Sequence, residues 1–276
     1  MKRKLNIAWL LSALVLLYGC GGAVKTSPPS SNPPAGPPSG PPVQNQNTST
    51  NWQLSATSIN PAGPSPAKIA GTIIPTGGAV AAALHAHGWK CFDQQTTITL
   101  TGTQTAGNIS MTSASVNGQV VTFAGAITKK SNFPDVFNGT YTVSGGCADG
   151  DHGNVTGFSV YSMTGNWAGN LTTAGGGNIH WNAELAQGNP DSEGSFGLSG
   201  AITFDSCFGG GNITSGTFPS ASFILGQSVD LEIKISNGTV TFVGTADDDG
   251  LIRGNYTVSG GSCDSSGAGY LSPWEY

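Results

Sequence analysis

The sequence predicts an all-β protein: a tandem duplication of two antiparallel β-domains, each a small eight-stranded meander barrel, with a β-sandwich as the alternative. Three observations predict it. The hexapeptide YTVSGG occurs at residues 141–146 and again at 256–261, and the match extends outward in order. Apolar residues alternate with a period of two, the spacing of a strand with one face buried. Two-residue turn signals such as Asn117-Gly118, Asn237-Gly238 and Asp249-Gly250 recur at hairpin spacing.

The duplication carries the domain organisation. Asn51-Trp52 matches Asn166-Trp167, Cys91-Phe92 matches Cys207-Phe208, and Val121-Thr122-Phe123 matches Val240-Thr241-Phe242. The offset stays near 115 residues, which is a domain-sized unit rather than a solenoid repeat. The chain therefore divides into a first β-domain over 51–162 and a second over 163–276. Cys91 and Cys147 are 56 residues apart, as are Cys207 and Cys263. Equal spacing favours one disulfide inside each repeat, although four cysteines allow three pairings. Close Cys pairs of the zinc type are absent, so metal binding is the weaker alternative.

The strands follow from the alternation. In SVDLEIKIS, residues 228–236, Val229, Leu231, Ile233 and Ile235 take one face and polar residues the other. The second repeat reads as strands over 165–173, 178–186, 195–205, 211–217, 221–225, 228–236, 239–247 and 251–259, with 267–272 a ninth candidate. The opening Asn-Trp, the successive hairpins and the late Gly-x-Tyr-Thr-Val strand resemble lipocalin- and avidin-type meander barrels. That resemblance is architectural and implies a small apolar ligand as one function for the barrel interior.

The start of the chain is of a different kind. Lys2, Arg3 and Lys4 precede an apolar run from Leu5 to Tyr18, too short for a comfortable membrane span. The run ends in Leu17-Tyr18-Gly19-Cys20, which resembles the bacterial lipobox. The resemblance implies a signal peptide over 1–19, cleavage before Cys20, and acyl chains on Cys20 that hold the protein on a membrane. The alternative is an ordinary signal peptide ending near a Cys. Residues 20–50 are rich in Pro, Gly and Ser, with four Pro-Pro pairs, and read as a linker. In the polyproline form such a linker reaches roughly 90 Å. These features place the expected location in the bacterial cell envelope, lipid-anchored on the outer membrane, with the membrane as partner through Cys20.

The chain carries a net charge of −5, and three of its ten cations lie in the first four residues. An acidic, charge-poor body without an Arg/Lys cluster argues against a nucleic-acid partner. No cofactor motif appears, so none is expected.

Each residue pattern that could carry chemistry also has a structural role. His85 and His87 share a strand face; repeat alignment sets them opposite Ala201 and Thr203 on the outward side, as surface histidines rather than a metal site. Asp149, Asp151 and Asn154 echo a calcium loop without its twelve-residue pattern, and Asp247–Gly250 reads as a hairpin turn. His152 and His180 lack a Ser or Asp partner for nucleophilic catalysis. Glu184, Glu193, Glu232 and Glu275 form no recognisable carboxylate pair. The chain is accordingly expected not to be an enzyme. Trp52, Trp167, Phe123, Phe242, Tyr141 and Tyr256 recur in both repeats and read as barrel core and plug. Trp89, Trp181 and Trp274 break the repeat and are the better candidates for a ligand-contacting surface. The expected role is structural or interaction display by two disulfide-pinned domains, with carriage of a small apolar ligand or an envelope glycan hydrolase as alternatives.

Overall fold

A computed structural model describes residues 50–59, 66–89, 91–92, 96–130, 133–205, 208, 210–213, 221–247, 250–260 and 266–273. Cys20, the linker, Cys207, Cys263, Trp274 and Glu275 lie outside the described residues.

The first repeat forms a closed barrel of eight antiparallel strands in meander order. These are β1 (Asn51–Ser58), β2 (Ala67–Thr76), β3 (Ala79–His87), β4 (Thr96–Thr105), β5 (Asn108–Ser113), β6 (Val120–Thr128), β7 (Val136–Ser144) and β8 (His152–Val160). Pairing of β8 with β1, from Asn51 opposite Val160 to Ser58 opposite Gly153, closes the ring. Closure leaves no strand edge for another chain to extend.

The second repeat supplies β9 (Gly165–Thr173), β10 (Asn178–Pro190), β11 (Phe196–Phe204), β12 (Gly210–Ile213), β13 (Phe223–Leu225), β14 (Ser228–Ile235), β15 (Gly238–Ala246), β16 (Ile252–Gly260) and β17 (Ser266–Pro273). Nine strands make only eight staves, because β12 and β13 both lie between β11 and β14. They occupy the slot that β4 fills alone in the first barrel. Consequently β17, the ninth candidate by sequence, is the stave that joins β16 to β9, and β10–β11 pairing completes the ring. Both domains are barrels, which removes the sandwich alternative.

Alternation puts apolar residues inside and polar residues outside. On β4, Ile98 and Leu100 are fully buried while Thr97, Thr99, Thr101 and Thr103 face water. A barrel within a bilayer needs the reverse arrangement on its outer face. No helix among the described residues is long and apolar enough to cross a membrane.

The aromatic pairs repeat in register: Phe123 lies opposite Tyr141, and Phe242 opposite Tyr256. All four are at most 1% exposed, and Trp52 and Trp167 are 3% exposed. Register also corrects the repeat alignment of the third strand. Trp52 leads across the sheet to Gly71 and Leu84, and Trp167 to Ala183 and Ile202. Leu84 thus corresponds to Ile202, and His85 to Thr203, two residues beyond the sequence alignment. A shift of two preserves which face each residue takes, so both histidines still point outward.

One volume exchange explains an aromatic that breaks the repeat. The first barrel pairs Leu54 with Ile69; the same position in the second pairs Gly169 with Trp181. A side chain on Gly169 would collide with the Trp181 indole. Small faces large in one barrel where two medium residues meet in the other, which keeps the interior filled.

Candidate functional site

Among the described residues, two places gather polar groups in a way that the general alternation does not explain. The first is the disulfide end of the first barrel. Cys91 and Cys147 are bonded, with Cα atoms 6.1 Å apart. This ties the segment after β3 to the short turn after β7. Behind the disulfide, Asp151 is 8% exposed and accepts hydrogen bonds from Ser58 Oγ (2.7 Å), Tyr141 Oη (3.2 Å) and Trp89 Nε1 (3.3 Å). Trp89 packs edge-on to Tyr141, with ring centroids 4.8 Å apart, and against Phe92 and Phe123. Burial pushes the Tyr141 hydroxyl above its ordinary value; the Asp151 carboxylate adds to the rise, and the hydrogen bond with Ser58 opposes it. The ensemble is a plug: three donors from different parts of the barrel wall share one carboxylate under an aromatic lid.

The second place is the seam between the barrels. On the outer face of the first barrel, register sets Ala70, Gln53 and Phe158 in one rank and Lys68, Ser55 and Thr156 in the next. Two turns of the second barrel meet this face. The β10–β11 turn is shaped by Asp191, whose carboxylate accepts from the Glu193 and Ser195 backbone N–H groups (2.8 and 3.0 Å) and from Ser195 Oγ (2.6 Å). It presents Gly194 O to Gln53 Nε2 and Glu193 to Lys68. The β13–β14 turn presents Gly226 N, which donates to Gln53 Oε1 at 2.7 Å. Gly226 has φ 64°, the left-handed region that favours glycine. Gln53, only 7% exposed, is therefore satisfied at both ends by the other barrel. The connection between β8 and β9 adds to the join. Val160, Tyr161 and Met163 pack into the core of the second barrel. Tyr161 Oη donates to Asp247 O at 2.8 Å, and Trp167 Nε1 to Met163 O at 2.9 Å.

The other sequence candidates are dispersed. His85 Nδ1 lies 3.3 Å from Thr97 Oγ1 on the outer wall, and His87 is half-buried beside it. The calcium-like trio separates: Asp149 accepts from Gly145 N at 2.7 Å, Asp151 turns into the plug, and Asn154 is exposed on β8. Among the described residues, no group of three or more His, Cys, Asp or Glu is placed to hold a metal ion. His152 and His180 are exposed on β8 and β10. Glu184 is exposed on β10, Glu193 pairs with Lys68, and Glu232 pairs with Lys234. Asp247 pairs with Arg253 and starts the expected hairpin turn, its C=O accepting from Gly250 N at 3.0 Å.

Trp89 and Trp181 are corrections. Both were expected at a ligand-contacting surface, yet they are 3% and 1% exposed. Trp181 stacks on Phe204, meets Phe242 edge-on and donates to Tyr270 O at 3.0 Å. They break the repeat because each barrel fills its interior differently. Sequence reasoning missed Gln53, whose counterpart in the second repeat is Ala168, and missed Asp151 as a buried acceptor. The only available signal for Gln53 was a polar residue flanked by Trp52 and Leu54, which ordinary alternation also produces.

No family model, curated protein or solved structure matches the chain.

Proposed function

We propose that the chain is a lipid-anchored protein of the bacterial cell envelope that displays a joined pair of β-barrels for contact with an envelope partner. The observation that carries this reading is the filling of both interiors. Leu84, Ile98, Leu100, Phe123, Phe137 and Tyr141 are each at most 1% exposed in the first barrel, as are Trp181, Leu231, Phe242 and Tyr256 in the second. Side chains take the space that a carrier would keep for its ligand, which favours display over carriage of a small apolar molecule. The outward faces are then the working surfaces. The dispersal of the titratable groups favours a non-enzymatic role, since no nucleophile, base and stabilising donors converge among the described residues.

The tether is read from the start of the sequence. Acyl chains on Cys20, at about 0.8 kcal/mol per buried CH₂, anchor the chain durably without a transmembrane helix. The proline-rich segment gives clearance from the bilayer. A second disulfide, Cys207–Cys263, completes the proposal for the second barrel by analogy with Cys91–Cys147. The test of the tether is membrane fractionation of the chain and its Cys20→Ser variant. The reading expects the native chain in the membrane fraction and the variant released; equal membrane partitioning would refute it.

A further inference from the structure

We infer that the cleft at the seam between the two barrels is a binding site for a neutral saccharide, the terminal rings of an envelope glycan. The cleft has a volume of about 330 Å³ and opens to solvent. That is at the low end of small-ligand sites, which occur preferentially at domain boundaries. Its floor is the rank Lys68, Ser55 and Thr156. Its walls are Phe158, 36% exposed, and the second-barrel residues Glu193 and Leu225.

The chemistry of these groups selects the ligand class. Lys68 and Glu193 already pair with each other across the seam, so a charged ligand would have to break that pair. A neutral one can use the free hydrogen-bonding capacity of both. Ser55 and Thr156 carry hydroxyls that donate and accept, which suits a ligand whose own groups do both. The exposed Phe158 ring and Leu225 offer an apolar face for the C–H side of a pyranose ring. A peptide partner fits less well. β1, which forms the floor, is paired on both sides, so no strand edge is open to extension by an added strand. Gln53 is used up by Gly194 and Gly226, which holds the walls at a fixed separation instead of contributing to the ligand.

This inference names the partner in the display reading and rests on it. The experiment is a ¹H–¹⁵N shift titration of the purified full chain with cellotetraose and chitotetraose, up to about 10 mM, enough to detect millimolar affinity. The same titration is run on Phe158→Ala, on Ser55→Ala and on Cys20→Ser. Expected are saturable shifts at Ser55, Thr156, Gly194 and Gly226, with binding about tenfold weaker in Phe158→Ala and weaker in Ser55→Ala. Both substitutions are at solvent-accessible outer-wall positions, and the unchanged spectrum of the core confirms folding. No shifts with either sugar, shifts elsewhere, or binding indifferent to Phe158→Ala would overturn the inference. So would cleft shifts caused by a mixed peptide pool while both sugars are silent. The Cys20→Ser chain is expected to bind as the native one does, so a failed tether and a failed cleft give different results.

Discussion

Three donors converge on Asp151 from β1, from the segment after β3 and from β7, so its carboxylate ties together parts of the barrel wall distant in sequence. Replacing it strands buried donors, and a lost buried partner costs about 1–3 kcal/mol. Asp151→Ala is expected to lower the urea-unfolding free energy by that amount; a value equal to wild type would remove the plug from the account. Tyr141 gives the plug a pH dependence. Its hydroxyl is held above the ordinary 10.0, so the folded state favours the protonated form. The resulting stability is complete below pH 10 and is lost as pH rises through the elevated value. Melting temperature should therefore fall more steeply above pH 10 in the native chain than in Tyr141→Phe. Asp230 behaves in the same sense at the acid end. Burial first, and the Glu232 carboxylate second, raise it above 3.8. Its stabilising protonated form is lost as pH rises, so Asp230→Asn should melt higher than native at pH 7 and alike near pH 3.

At the scale of elements, much of the fold was legible because the period of two is a direct record of which face is buried. In SVDLEIKIS the alternating Val229, Leu231 and Ile233 are each fully buried. The sharing of one slot by β12 and β13 was not legible, because stave assignment depends on which strands pair and each short strand looks complete by itself. Nor was the inward placement of Trp89 and Trp181. Side-chain volume is balanced across a barrel between strands distant in sequence, as in the exchange of Leu54 and Ile69 for Gly169 and Trp181. That exchange is testable: Gly169→Ala forces a methyl against the indole and a strand carbonyl. It should destabilise by about 1–3 kcal/mol, as overpacking does; calorimetry showing no change would contradict the packing. The Cys91–Cys147 bond closes a loop of 56 residues. Its loss in a Cys91→Ala, Cys147→Ala double variant should cost about 4 kcal/mol on the chain-entropy model.

At the scale of the whole molecule, the Gln53 clamp and the shared packing of Tyr161 and Met163 join the two closed barrels. Rotational correlation times from ¹⁵N relaxation should agree between the barrels in the native chain and diverge in Gln53→Ala. In the proposed reading, joined and side-chain-filled barrels leave the outer surface and the seam as the places for a partner. The proposed display role requires that the chain be held at a membrane. The measurement that tests this most directly is the intact mass of the chain extracted from the membrane fraction of its native host. The account predicts a mature chain beginning at Cys20 and heavier than its amino-acid sequence by the mass of attached acyl chains. An unacylated chain, or one whose first residue is not Cys20, would contradict it.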